Sequence, residues 1–146
     1  MSSSLTQPAL QGKLALVTGA GGTMGRAVVQ ALLDDGCRVA MVDLAAAPLH
    51  ALEVLHGERV AGFVCDIGDP DAVLAVHKKI TQRFGTVDVL VNNAGILRDK
   101  SFHNMTPDLW QAVIDVHLTG AYNVTQAAWP LMREQAYGRV ISTASG

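Results

Sequence analysis

Leu14-Ala15-Leu16-Val17-Thr18-Gly19-Ala20-Gly21-Gly22-Thr23-Met24-Gly25 passes from an unbroken apolar run through a glycine-rich turn into a stretch with helical periodicity. An apolar run of that kind is a strand buried on both faces, as in a parallel sheet covered by helices. The glycines permit a tight turn and a close approach of backbone to an anion. The following helix aims its free N–H groups and positive dipole end at the same place. Strand, turn and helix in this order form the seat of a dinucleotide pyrophosphate in open α/β sheets. Gly19, Gly21, Gly22, Thr23, Met24 and Gly25 are therefore the first candidate cofactor-binding residues, and a side chain at Gly19 is expected to intrude on the phosphate path. On pattern alone, an ordinary strand-to-helix turn stays open as the other reading.

The rest of the composition fits such a sheet. A chain of 146 residues can bury roughly 70% of the surface it exposes when unfolded, enough for one substantial core. Apolar residues make up 49% and aromatics 5%, so that core is aliphatic. The net charge is −2 with scattered Lys and Arg, which leaves no electrostatic footprint for nucleic acid or an anionic membrane. Cys37 and Cys65 have no CxxC or Cys/His ligand spacing and read as reduced packing residues. No metal site is expected, and His50, His56, His77 and His103 are expected to be solvated. Residues 1–11 are polar and lack the basic-then-apolar order of a signal peptide, and no run is long enough to span a bilayer. The expectation is a flexible segment over residues 1–12, one dinucleotide-binding domain over 13–146, and a cytoplasmic location.

Beyond the glycine turn, short apolar runs alternate with helical periodicity, the βαβ rhythm of a doubly wound parallel sheet of Rossmann type. Strands are expected at 13–18, 38–42, 60–65, 87–92 and 138–143, and helices at 26–35 and 46–55. A third helix opens at Asp69-Pro70, with Val73, Val76, Ile80 and Phe84 on one face. A long helix opens at Thr106-Pro107 with the stripe Leu109, Val113, Val116, Gly120, Val124, Ala127 and Leu131, its last turns bent by Pro130. The sheet is expected to be truncated after its fifth strand.

Asp43 ends the second strand 24 residues after Gly19, where a carboxylate can accept from the ribose hydroxyls of a dinucleotide; a solvated loop aspartate is the alternative. Asn92 and Asn93 could be simple strand-ending turn formers. His117 alone on a helix flank reads as a packed, hydrogen-bonded histidine.

Four motifs in order make the chain similar to the short-chain dehydrogenase/reductase family over residues 13–146. Thr18-Gly19 through Gly25 resembles its cofactor glycine motif and Cys65-Asp66-Ile67 its adenine-contacting segment. Asn92-Asn93-Ala94-Gly95 resembles the motif after the fourth strand, and the stretch Gly138 to Ser145 resembles the strand that ends in the catalytic serine. Gly95-Ile96-Leu97-Arg98-Asp99-Lys100, Val116-His117-Leu118, Ala127-Ala128-Trp129 and Tyr137-Gly138-Arg139 most resemble the (3R)-hydroxyacyl-CoA dehydrogenase domains of multifunctional β-oxidation enzymes and the related 3-oxoacyl reductases. The resemblance implies a nicotinamide dinucleotide and an acyl thioester or other carbonyl or alcohol substrate; Asp43, with no positive charge at Gly22 or Leu44 where the family puts a basic partner, is expected to favour NAD over NADP. It places Asp66 and Ile67 at the adenine and Asn93, Ala94 and Gly95 along the cofactor. It makes Ser145 the catalytic residue that holds the substrate oxygen, with His117 in a proton relay, and implies a homo-oligomer for the full-length form.

Two departures stand out. Thr23 occupies a position where the family usually has glycine, and the family's Tyr-x-x-x-Lys motif is not in these residues: Tyr122 is followed four later by Gln126, and Tyr137 by Ile141. The resemblance then implies a piece of a longer enzyme, inactive alone, because such an acid–base group contributes about 10² to 10⁴-fold in rate. A dinucleotide-binding module without catalysis is the alternative.

Overall fold

The computed structural model describes residues 9–96 and 100–144. Five parallel strands, β1 (Leu14–Thr18), β2 (Arg38–Asp43), β3 (Val60–Val64), β4 (Val89–Asn92) and β5 (Arg139–Ser142), form one sheet in the order β3-β2-β1-β4-β5. Register pairs Thr18 with Val42, Val17 with Val91 and Asn92 with Ser142. The chain winds outward through β2 and β3 on one side of β1, then through β4 and β5 on the other. The order reverses between β1 and β4, and the crevice beyond the carboxyl ends of those two strands is where ligands bind in such sheets.

Successive side chains of a strand face opposite ways, which divides the apolar runs between two cores. Ala15, Val17, Val39, Met41, Val60, Val89 and Val91 face α1 (Thr23–Asp34) and α2 (Ala46–His56). Leu14, Leu16, Ala40, Val42 and Leu90 face α3 (Pro70–Phe84) and α5 (Gly120–Glu134). Cys37 and Cys65 are free, and burial pushes both thiols up, in keeping with a packing role.

Most elements fall within a few residues of expectation, and the differences have causes. α1 starts at Thr23 rather than residue 26 because Gly22 can act as its N-cap, so Thr23, Met24 and Gly25 are its first turn. α3 starts where Asp69 accepts from the N–H groups of Asp71 and Ala72, the expected cap. The long helix is α4 (Pro107–Ile114) and α5 joined by a π-turn, Asp115–Thr119. α5 includes Pro130 and buries Gly120, Val124, Ala128 and Met132 rather than the stripe through Ala127 and Leu131. A row of every fourth residue is the inclined ridge by which one helix seats against another, here α3. Residues 9–12, expected to be flexible, are tied down: Gly12 N–H donates to Gly36 O, and Leu10 packs on the core. Residues 1–8 lie outside the described residues.

His77, expected to be solvated, is half-buried on α3 with its Nε2 sealed from water and unpaired among the described residues. Burial lowers the ring below the ordinary histidine value. Between the folded value and about 6.5 the unfolded chain binds a proton that the folded chain does not. Stability is therefore expected to fall as pH drops through about 6.5 and to level off once the folded ring protonates. In urea titrations at about pH 7, 6 and 5, His77→Leu should flatten this slope; an unchanged slope would rule His77 out as its source.

Candidate cofactor groove

The groove begins at one hydroxyl. Thr18 ends β1 and is fully buried, and its Oγ1 accepts from Asn93 N–H and Ala94 N–H, both at 3.0 Å. The segment that follows β4 is thereby held against the segment that follows β1, across the point where the strand order reverses. Asn93 Nδ2 donates to Gly19 O at 3.4 Å, a second tie between the two. Asn92 is buried rather than a free turn former: its Nδ2 donates to Thr125 Oγ1, while its Oδ1 is buried and unpaired among the described residues.

The glycines of the turn do different jobs. Gly19 has φ +65°, and a Cβ there would lie 2.7 Å from Ala94 Cα, while one on Gly25 would lie 2.0 Å from Gly19 O. These two glycines serve chain-to-chain contact. At Gly19 the expected obstacle to a side chain is a neighbouring backbone, not the phosphate path. Gly22 differs, since a Cβ there would meet only Gly19 O at 3.5 Å, and the residue is exposed on the groove. As N-cap it has no side chain to occupy the first-turn N–H groups of α1, which leaves that end of the helix available to an anion. Thr23 and Met24 are exposed beside it. Thr23 sits in ordinary helical conformation, so its side chain costs the turn no strain.

Asp43, at the end of β2, accepts from Gly21 N–H at Oδ2 (2.9 Å) and from Ala45 N–H at Oδ1 (3.0 Å). Asp66 is exposed, and its Oδ1 accepts from Gly68 N–H at 2.9 Å. Ile67 is buried; its carbonyl accepts from Asn123 Nδ2 at 2.8 Å, and its side chain fills the space beside Gly120. The 66–67 segment is thus set by α5, through a residue 56 positions further along the chain.

His117 lies within the π-turn, a device frequent at functional sites because one extra residue re-aims a side chain. Its ring covers Gly95, and its Nε2 lies 3.0 Å from Ile96 N and 2.9 Å from Ile96 O. One ring nitrogen cannot serve both: with a lone pair it accepts Ile96 N–H, and with a proton it donates to Ile96 O. His117 therefore holds the backbone of Ile96, a partner its sequence position gave no sign of.

Two connected hollows result. A deeper one of about 150 Å³ is lined by Val42, Leu44, Cys65, Ile67, Ile96 and Val116, with Asp43 and Asp66 at its edge. A wider one of about 440 Å³ is lined by Gly22, Thr23, Met24, Gly25, Asn93 and His117. Gly19, Asp43 and Gly95 border both, and Ala94 lines the first. Every expected cofactor residue except Gly21 lines one hollow or the other, and Gly21 is hydrogen-bonded to Asp43. Ser145 lies outside the described residues. Sequence reasoning missed the Thr18 hydroxyl, although Thr18 stands directly before Gly19 in the motif, and it missed Pro48, against which Gly21 packs. Among the described residues no group of three ligating side chains could hold a metal ion, and no helix is long and apolar enough to cross a membrane.

Comparison with known proteins gives a consistent result. A family model described as short chain dehydrogenase matches residues 13–146. The chain is 45% identical over 138 residues to the peroxisomal hydratase-dehydrogenase-epimerase of Neurospora crassa, covering 92% of this chain and 15% of that protein. It is 39% identical over 133 residues to the acetoacetyl-CoA reductase of Paracoccus denitrificans, covering 91% of this chain and 54% of that protein. Among solved structures, NAD+-bound xylitol dehydrogenase superposes with a TM-score of 0.89 at 33% identity, over 94% of this chain and 54% of that one. The chain thus spans about half of the reductase and a smaller part of the multifunctional protein.

Thr18→Val keeps the shape of the side chain and removes the acceptor, leaving the N–H groups of Asn93 and Ala94 unpaired. The expected loss is about 2–6 kcal/mol in a urea titration, from a cost of about 1–3 kcal/mol for each of the two orphaned donors. Thr18→Ser, which keeps the oxygen, should lose much less. Equal losses for the two variants would show that packing, not the hydrogen bonds, sets the importance of Thr18.

Proposed function

The chain belongs to the short-chain dehydrogenase family, and on that premise we propose that it forms the nucleotide-holding part of an NAD-linked oxidoreductase. In this reading the reaction interconverts a hydroxyl and a carbonyl on a 3-hydroxyacyl or 3-oxoacyl thioester. The observation that carries it is the meeting, on one groove, of the uncapped amino end of α1 and the carboxylate of Asp43. The first suits a pyrophosphate and the second a ribose diol. Xylitol dehydrogenase, a structural neighbour, is described as NAD+-bound, and the name acetoacetyl-CoA reductase supports a thioester substrate.

The residues fit a dinucleotide. The exposed Gly22 and the first-turn N–H groups of α1 would take the pyrophosphate, the apolar hollow beside Asp66 and Ile67 the adenine, and Asn93, Ala94 and Gly95 the remainder of the molecule. The bound nicotinamide would supply the hydride chemistry. Ser145 would hold the substrate oxygen, and His117 would hold the loop beside it and take part in proton movement. The two reduced thiols support a reducing compartment such as the cytoplasm, while three relatives carry peroxisomal names.

Asp43 would face a 2′-phosphate, and neither Gly22 nor Leu44 offers a cation in return. Like charges brought together cost several kcal/mol, so NADH should bind at least about tenfold more tightly than NADPH. Fluorescence titration with both reduced cofactors checks this, and tighter binding of NADPH would overturn the assignment. Thr23→Gly should change NADH affinity little, because Thr23 adds no strain to the turn. Gly19→Val should abolish binding by displacing Ala94. The 146 residues alone should bind NADH yet show no turnover on 3-hydroxyacyl thioesters, since they contain no Tyr-x-x-x-Lys. Turnover at the rate of an intact relative would refute that last expectation.

A further inference from the structure

Gly21 is held from both sides by opposite charges. Its N–H donates to Asp43 Oδ2 at 2.9 Å, and its carbonyl accepts from Arg26 Nε at 3.0 Å. The turn also sits flush against this corner: a Cβ on Gly21 would lie 3.1 Å from Asp43 Oδ2 and 2.9 Å from Pro48 Cβ. The other carboxylate oxygen is engaged by Ala45 N–H at 3.0 Å, which fixes the rotation of the group. A carboxylate has about four acceptor directions, and two of them are used by backbone before any ligand arrives.

We propose that Asp43 is a positioning residue for the phosphate-binding turn as well as the group that meets the adenosine ribose. The inference rests on the nucleotide-binding reading above, and its content is the link between two properties usually treated as separate. The carboxylate that selects against a 2′-phosphate also ties Gly21, and with it the chain leading into the amino end of α1. Swinging the carboxylate aside to admit a 2′-phosphate breaks the tie, and deleting it to reverse the cofactor preference loosens the seat of the pyrophosphate. Charge-assisted bonds to backbone N–H groups are the stronger kind, so the tie survives water at this half-buried site.

The test separates the two roles with ligands that differ only at the ribose, ADP and 2′,3′-dideoxy-ADP, and with two variants of the full chain. Asp43→Ala removes the tie, whereas Asp43→Asn keeps an oxygen that can accept Gly21 N–H. If Asp43 acted only through the ribose hydroxyls, 2′,3′-dideoxy-ADP would bind wild type and Asp43→Ala equally, and that result would overturn the proposal. The expectation is that Asp43→Ala binds the dideoxy nucleotide about fivefold or more weakly, while Asp43→Asn stays within about twofold of wild type. Amide exchange at Gly21 in the ligand-free protein reads the tie without any nucleotide. It should quicken about tenfold in Asp43→Ala and not in Asp43→Asn; equal exchange in all three proteins would also overturn the proposal. A wild type that binds neither nucleotide but shows the exchange difference would sink the nucleotide reading while leaving the tie intact.

Discussion

The hydrogen bonds into Thr18 Oγ1 are the constraint on which the groove depends. Strands β1 and β4 are neighbours in the sheet, yet the chain leaves them toward different helices, so nothing in the ladder itself fixes the two exit segments relative to each other. A single buried oxygen taking the N–H groups of Asn93 and Ala94 does so. The tight approach of Gly19 to Ala94 follows from it, and Gly25 in turn closes on Gly19. Remove that oxygen and only the longer bond from Asn93 Nδ2 to Gly19 O still ties the two walls of the crevice.

The same economy appears in the division of the strands. Odd and even positions of β1 feed separate cores, so the strand carrying the glycine turn is gripped on both faces and its end is stiff. Binding energy for an anion at the turn would then not be spent on ordering the strand that carries it. The polar groups of the site gather at the carboxyl ends of such strands, where side chains meet the crevice instead of a helix.

Much of this was legible in the residues. The run Leu14–Thr18 and the glycines after it located β1, the turn and α1, because a doubly buried strand tolerates only apolar side chains and the turn only small ones. Asp69-Pro70 announced α3, and the apolar run before Asp43 announced β2. What escaped depends on long-range contact. Whether a glycine is needed for a ligand or for a neighbouring backbone is decided by Ala94, more than seventy residues from Gly19. The burial of His77 depends on how α3 settles on the sheet. The π-turn has no signature in an amphipathic stripe, so the handover from Ala127 and Leu131 to Ala128 and Met132 could not be read from period alone.

The arrangement of His117 over Ile96 has a consequence of its own. Because a single nitrogen stands between an N–H and a C=O of the same residue, the location of the imidazole proton decides which of those backbone groups is satisfied and which turns to solvent. Ile96 is therefore held through its N–H or through its C=O according to which form the ring takes. A side-chain amide in this place would satisfy both groups at once and leave the loop indifferent to protons.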